Sequence, residues 1–395
     1  MKAKELWTSL LIGGGDAPAP EPVLISKNIT ANGEYYAVED DADGYSSVNV
    51  NVQTPSNEDA LIEDSLTGEY VNNTATSIAV RGLAYKTHVT KVVMNGVESI
   101  GNYGLTQDAA LEEATFRSAV SIGDSAFSGC TALTELTIPN VKTIGRYNFQ
   151  NLTNLETVNA GSIETLGNSA FEGCSKLKTI DLSSVQSIGM NGFYNCRSLT
   201  TALLSQCTSM SSSNIFSGCS SLAEVRAPLC RSLGSTCFKD CTALETVDFS
   251  GLWQLGSDTF SGCTSLAAIE LPMASYLGGS RAFNGCTNLV RVEAGAPEFS
   301  SVNASLGSST FIGCSSLTTL ALRRTVSIFT LDGSSVFEGT PFNTSGSAAY
   351  IYVPAALIDT YKAATNWSLY QNRFRVLEDY TVDGTVTGAL DPTKI

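Results

Sequence analysis

A phenylalanine returns along this chain at a nearly fixed interval: Phe127, Phe149, Phe171, Phe193, Phe216, Phe238, Phe260, Phe283, Phe311 and Phe337. The spacing is 22 or 23 residues until the last two steps, which are 28 and 26. Running the frame backwards puts Leu105 and Leu83 in the same slot, so about twelve repeats lie between residues 78 and 340. A period of this length is the mark of a solenoid, in which each unit packs only on its two neighbours.

Every unit follows one order. An apolar residue and a glycine open it, as in Ile122-Gly123, Ile144-Gly145 and Ile188-Gly189. The phenylalanine follows five residues after the apolar one, and a cysteine three later. A leucine comes next, then two apolar residues at alternate positions: Leu133, Leu136, Ile138; Leu155, Val158, Ala160; Leu177, Ile180, Leu182. That alternation is a short strand with one face inward. The glycine permits a tight bend before the next segment. One such unit cannot bury enough apolar surface to order itself, and stacking covers both its flat faces.

The cysteines obey the same frame. Cys130, Cys174, Cys196, Cys219, Cys241, Cys263, Cys286 and Cys314 each stand three residues after a column phenylalanine. Cys207 and Cys230 take slots held elsewhere by Val141, Ile163 and Val185, and Cys237 takes the slot of Ala126, Ala170 and Ala282. Leu152 replaces the ladder cysteine in one unit. Slots shared with small apolar residues mark buried packing thiols. A metal is disfavoured because the thiols come from separate coils with no histidine partner. Disulfides are disfavoured by the odd count of eleven and by the parallel inward slots. Reduced cysteines point to folding in a reducing compartment.

A leucine-rich unit of 22–23 residues enclosing "IGxxAFxxCxxLxxIxI" resembles the BspA-type leucine-rich repeat family, best over residues 122–138, 166–182 and 255–271. The resemblance implies a right-handed leucine-rich-repeat solenoid of short parallel strands in a surface or secreted adhesive protein, with no catalytic residues to carry over. Met210-Ser211 lacks the glycine, and residues 78–105 lack both phenylalanine and cysteine, as a degenerate N-terminal cap would. Residues 23–52, with "ANG" and "DDADG" turns and alternating Val48, Val50 and Val52, read as a small β module. This module resembles one found in tail-associated proteins of phages of Gram-positive bacteria. The segment from Ile351 is similar to an end piece of the same proteins and of some BspA-type chains. Ile351–Val353 reads as a last strand and Pro354 as the start of a capping helix, with Leu357, Tyr361, Ala364 and Leu369 apolar through Trp367. The expected layout is an N-terminal helix and linker (1–22), β module (23–54), connector (55–77), solenoid (78–345), helical cap (346–379) and polar tail (380–395).

Little in the chain suggests catalysis. His88 is the one histidine, which disfavours histidine chemistry and multi-histidine metal sites. "EDDADG" at 39–44 has Val50 where a calcium loop needs its bidentate glutamate. Ser125 in "GDS" shares its slot with Tyr147, Asn191 and Thr236, so it reads as part of the repeat. Gly13–Gly15 lacks phosphate-loop spacing. No cofactor and no metal is expected. A net charge of −15 disfavours nucleic acid and anionic membranes as partners. No apolar run is long enough to span a bilayer, and Leu10–Ile12 is too short for a signal peptide.

What remains is surface. The outward strand positions include Glu135, Asn159, Asp181, Glu224, Asp248, Glu270 and Glu293, beside Thr157, Thr179, Thr201, Thr246 and Thr319. Trp253 stands where other repeats carry Lys142, Glu164, Gln186 and Arg231; Tyr276 stands where they carry Ser121, Thr143 and Ser187. Exposed aromatics favour partners. The candidate binding residues are therefore Trp253, Tyr276, Asp181, Asp248, Glu270 and Glu293. Insertions around Pro297–Gly307 and Arg323–Gly333 are further recognition candidates. The expectation is a non-enzymatic binding protein of a phage tail, made in the host cytoplasm and carried on the virion. Its partner would be a host cell-surface protein or glycan, or a neighbouring virion protein. The alternatives are a bacterial surface or secreted adhesin and a purely structural spacer.

Overall fold

The repeat frame becomes a coil with two short strands per turn. In "ELTIPNVKTI" the leucine of Glu135–Thr137 points inward and its neighbours outward. After a turn, Thr143–Ile144 sends Ile144 inward. The rest of the coil is a chain of turns that carries the phenylalanine and cysteine. The computed structural model describes residues 34–37, 48–51, 62–64, 69–71, 75–78, 82–84, 89–277, 279–295, 304–382 and 385–386. The chain divides into two units, Met1–Ile180 and Asp181–Ile395. Each is a parallel β-solenoid over its described repeats.

In the first unit, Lys91–Val93, Glu113–Thr115, Glu135–Thr137 and Thr157–Asn159 pair in parallel and in register. Glu69–Val71, inside the expected connector, extends the same sheet, and Ile62–Asp64 closes it antiparallel. A second ladder joins Ser77–Ile78, Ser99–Ile100, Ser121–Ile122, Thr143–Ile144 and Thr165–Leu166. The strand expected over 177–182 is reduced to one pair, Thr157 with Thr179. Glu34–Ala37 pairs antiparallel with Val48–Asn51, the two arms flanking the "DDADG" segment of the β module. The "DDADG" residues themselves, the N-terminal 1–33 and His88 lie outside the described residues.

The second unit repeats this plan. Thr201–Leu203, Glu224–Arg226 and Thr246–Asp248 form one parallel run. Ala268–Leu271, Arg291–Ala294, Thr319–Leu322 and Tyr350–Val353 form another. Ser232–Leu233, Gln254–Leu255, Tyr276–Leu277, Ser305–Leu306 and Thr330–Leu331 make the second ladder. The glycine that precedes each bend is a close-approach position. A Cβ on Gly256 would lie 2.5 Å from the Ser235 nitrogen and 2.6 Å from the Gly234 carbonyl carbon.

The phenylalanine column is the core of both units. Phe127, Phe149 and Phe171 stack at 5.2 and 4.9 Å. From Phe193 to Phe337 successive rings are 5.2–5.6 Å apart and within 10° of parallel. All are fully buried. Beside them runs the cysteine ladder, every thiol free and buried. The ladder thiols also do something the sequence frame does not reveal. Cys130 and Cys174 donate to the carbonyls of Leu105 (3.0 Å) and Phe149 (2.9 Å) one coil back. Cys219, Cys241, Cys263, Cys286 and Cys314 donate likewise to Phe193, Phe216, Phe238, Phe260 and Phe283 at 3.0–3.1 Å. The thiol is thus a small apolar filler that also serves a buried carbonyl. Where Leu152 interrupts the ladder, Asn148 in the same coil is buried and bonds the Gly123 carbonyl (2.7 Å) and the Ala126 nitrogen (3.0 Å).

The C-terminal cap closes the column. Phe337 meets Phe342, Trp367 and Tyr370 at 5.1–5.8 Å. Trp367 Nε1 donates to the Phe329 carbonyl (2.6 Å), and the Phe329 N–H donates to Tyr361 Oη (3.0 Å). Phe329 belongs to the Arg323–Gly333 insertion, so that insertion anchors the cap. The helical segment is shorter than its apolar spacing suggested. Pro354 caps a 3-10 turn, the α-helix runs only Ile358–Ala363 and ends at extended Ala364, and Asn366 at φ 65° turns the chain into the 3-10 segment Trp367–Arg373. Leu369 therefore turns outward, 65% exposed. Phe374–Val376 then adds a further parallel strand beside Tyr350–Val353.

Candidate binding surfaces

Two faces of the second unit carry the residues singled out by the sequence, and they belong to different strand ladders. The first is the edge at Trp253. The Trp253 N–H donates to the Arg231 carbonyl (2.9 Å), and its own carbonyl accepts from Ser275 and Tyr276 (both 3.1 Å). Leu252 and Leu255 on either side point inward, fixing the tryptophan outward at 43% exposure. Tyr276, one coil on and ahead of buried Leu277, is 40% exposed. Arg231, one coil back, places its guanidinium 5.3 Å from the Trp253 ring centroid. This is a cation–π contact that steadies the indole without covering it. The column alignment identifies Trp253; only the coil-to-coil stacking reveals its arginine.

The second is the face of the three-residue strands. Its carboxylates are largely engaged with one another's neighbours. Asp181 accepts from the Ser183 N–H (2.9 Å) and Asp248, at the end of its strand, from the Ser250 N–H (3.1 Å), each closing a bend. Glu270 is exposed and pairs with Arg291 at 2.9 Å. Glu224 pairs with Arg226. In the first unit Lys91–Glu113 (3.3 Å) and Lys178–Glu156 (3.1 Å) pair in the same way, and Asn159 donates to Glu135 (3.0 Å). Such exposed pairs contribute about 0–1 kcal/mol each. Their larger effect is to cancel charge along the face.

Glu293 departs from the expectation. Alternation placed it outward, and it does point to the strand face, yet it is only 7% exposed. Arg323 binds Oε2 through Nε (3.0 Å) and Nη2 (2.6 Å), Arg291 binds Oε1, and Tyr380 donates to Oε1 at 3.0 Å. Burial alone would raise its carboxyl pKa. The Arg323 contacts, with Tyr380 and Arg291, outweigh burial and hold the carboxyl below its usual value. Tyr380, expected as the start of a polar tail, is 4% exposed and packs on Ala321, Leu377 and Tyr352. Tyr380 covers Glu293, and the carboxylate supplies the acceptor that a buried phenol needs.

The remaining chemical candidates are placed by the repeat. Ser125 has φ 55°, and so do its siblings, between 55° and 58°, at Tyr103, Tyr147 and Ser169. It sits in a recurring left-handed turn. Among the described residues no group of three His, Cys, Asp or Glu side chains is placed to share a metal ion. No helix there is long and apolar enough to cross a membrane. Of the Pro297–Gly307 insertion, residues 297–303 lie outside the described residues.

The repeat geometry agrees with the sequence comparison. The profile described as "BspA type Leucine rich repeat region (6 copies)" matches residues 59–163, 98–223, 142–252 and 231–345, together more than half of the chain. The chain belongs to the BspA-type leucine-rich repeat family. Among solved structures it is similar to a leucine-rich repeat protein from Bacteroides ovatus ATCC 8483, with 26% identity, 66% of this chain and 77% of that one covered, and a TM-score of 0.49. A leucine rich cell surface protein from Faecalibacterium prausnitzii A2-165 matches at 21% identity over 65% and 87% of the two chains, TM-score 0.33. The pneumococcal vaccine antigen PcpA matches at 16% identity over 78% and 82%, TM-score 0.35. No curated protein sequence matches the chain. Leucine-rich repeat proteins are typically binding and adhesion proteins, and the family carries that coarse assignment.

Proposed function

We propose that this chain is a non-enzymatic adhesive protein whose second unit binds a cell-surface protein or glycan through the Trp253–Tyr276 edge. One observation carries the reading. In a protein whose phenylalanine column is wholly buried, two large aromatics stand outward on adjacent coils, in slots that most sibling repeats fill with polar residues, with the indole braced by Arg231. A flat indole beside a phenol presents apolar area and hydrogen-bonding capacity at little entropic cost, the profile of a binding hot spot. The net charge of −15 favours neutral or basic partners over phosphate-rich ones.

The setting we favour is a phage tail. Its support is the resemblance of residues 23–52 to tail-associated proteins; the end piece from Ile351 resembles both those proteins and some BspA-type chains and fits either setting. A bacterial surface adhesin is the second reading, supported by the BspA-type family itself. Binding of the purified full chain to Gram-positive cells and to a glycan array tests the adhesive role. Trp253→Ala is expected to weaken binding about 30-fold, the scale of a 2 kcal/mol hot spot. Because the side chain is exposed, the thermal midpoint should stay within a degree or two of the parent. Unchanged binding in Trp253→Ala and Tyr276→Ala excludes the edge as the contact. No binding by the parent chain leaves a structural spacer.

A further inference from the structure

The strand face of the second unit carries a built socket for a tyrosine ring. Its members come from consecutive strands in register: Glu293 beside Ala321, and Ala321 beside Tyr352. Neighbouring positions of this column hold Arg226, Asp248 and Glu270, so the small Ala321 leaves room where other coils project long side chains. The space is filled by Tyr380, 87 residues along the chain from its hydrogen-bond partner Glu293. Its ring lies 4.7 Å from Tyr352 and 5.9 Å from the Arg323 guanidinium carbon. Leu377 packs beside it on the same floor. The 3-10 turn Leu377–Asp379 brings the two together, closed by the Tyr380 N–H to the Leu377 carbonyl at 2.9 Å.

The socket does not need its occupant to be shaped. The acceptor carboxylate is held by Arg323 and Arg291, both from the solenoid coils. Tyr352 and Ala321 are strand residues, and Ala321 sits at an outward position that Leu377 and Tyr380 cover. The helical cap is fastened elsewhere, by Trp367 and Tyr361 on Phe329. Removing the ring of Tyr380 thus leaves a preformed hydroxyl acceptor, an aromatic wall and an apolar floor. A preorganised site of this kind binds without the cost of building itself.

We propose that this socket is a docking site for a Leu-x-x-Tyr segment of a partner protein, plugged in this structure by the chain's own Leu377–Tyr380. The two anchors select an apolar side chain and a phenol three residues apart on one turn. The hydroxyl is required because Glu293 is a fixed, charged acceptor that a phenylalanine leaves unanswered. The cis segment competes at an effective concentration in the millimolar range, which sets the threshold a partner must exceed. The site is separate from the Trp253 edge, so it rests only on the chain being a binding protein, and either surface can fail without the other.

The test uses the full chain and a fluorescein-labelled peptide, Leu-Glu-Asp-Tyr-Thr-Val, read by anisotropy. Tyr380→Ala empties the phenol half of the socket, leaving Leu377 in place, and should bind the peptide at least 10-fold more tightly than the parent. A peptide with phenylalanine in place of tyrosine should bind Tyr380→Ala about 10-fold more weakly, and Glu293→Gln on that background should remove the difference between the two peptides. Folded Tyr380→Ala that binds neither peptide, or binds both equally, overturns the proposal. If Tyr380→Ala does not fold, hydrogen exchange of the parent decides. Amides of 377–382 exchanging at least 100-fold faster than those of the Phe260 coil support a removable plug. Exchange at the same rate makes the segment an integral part of the core and overturns it. A concentration-dependent dimer of the parent, abolished by Tyr380→Ala, would assign the socket to a second copy instead of a partner.

Discussion

Phe238→Ala removes one ring from the middle of the second unit's column. The ring lies 5.5 Å from Phe216, 5.4 Å from Phe260 and 5.6 Å from Phe249, and is fully buried. A Phe→Ala truncation in such a site costs about 3–5 kcal/mol from lost transfer energy and the cavity left behind. The upper half of that range applies, since the coils are tied above and below by backbone bonds and cannot collapse. Phe238 N–H bonds the Thr259 carbonyl at 2.8 Å, and its carbonyl takes the Cys263 thiol at 3.1 Å. Urea unfolding followed by circular dichroism gives the total. The stacking share comes from a double-mutant cycle: Phe238→Leu with Phe260→Leu should show a coupling of about 0.5–1.5 kcal/mol. Phe238→Leu with Phe311→Leu should add within about 0.5 kcal/mol, because those rings do not touch. A loss under about 1.5 kcal/mol for Phe238→Ala, or equal coupling in both cycles, would refute the stacked column.

Other outcomes follow from the same geometry. Cys241→Ala loses the donor to the Phe216 carbonyl at 3.1 Å and leaves a small void, so a cost of about 1–2 kcal/mol is expected in the same unfolding assay. Burial, with Cys207 nearby, pushes the Cys230 thiol up to about 11, and burial drives those of Cys174, Cys219 and Cys263 higher still. Since unfolded thiols titrate near about 8.5, this stability is complete below that pH and is lost as pH rises through the folded values, at about 1.4 kcal/mol per unit per thiol. Urea midpoints should fall steeply between about pH 8.5 and 11; a flat profile contradicts buried thiols. Gly256→Ala drives a Cβ to 2.5 Å from the Ser235 nitrogen and should cost about 1–3 kcal/mol. Gly161→Ala, where the nearest atom is the Pro139 oxygen at 3.7 Å, should stay within about 0.5 kcal/mol.

Periodic features were legible because each repeat checks the next. A phenylalanine every 22 residues, a glycine after an apolar residue and a cysteine in an alanine or leucine slot all describe one coil. Stacking turns that coil into the observed ladders. Trp253 and Tyr276 were legible for the same reason, as aromatics in slots that most sibling repeats fill with polar residues. What the sequence hid is what the period does not carry. Thiol donation to a carbonyl one coil back needs the actual coil spacing. Glu293 reads as outward by alternation, but a tyrosine 87 residues away covers it. The one local hint was Ala321, a small residue in a column of long ones. Phe374–Val376 lacks the repeat's leucine frame and gains its strand character only from the open edge of Tyr350–Val353. The cap helix ends where Ala364 turns extended, and Asn366 at φ 65° then redirects the chain so that Trp367 meets Phe329 and Leu369 is left outside.

Counting reactive thiols probes the shared interior most directly. Freshly purified protein, never treated with reductant, is mixed with an aromatic disulfide reagent at pH 8, first native and then in guanidinium chloride. The coil-to-coil ladder predicts essentially no labelling over minutes in the native protein and all eleven cysteines reacting once unfolded. Rapid native labelling of ladder positions such as Cys241 or Cys263, or fewer than eleven thiols after unfolding, would mean that the sulfurs are exposed or bonded and that the stacked interior is wrong.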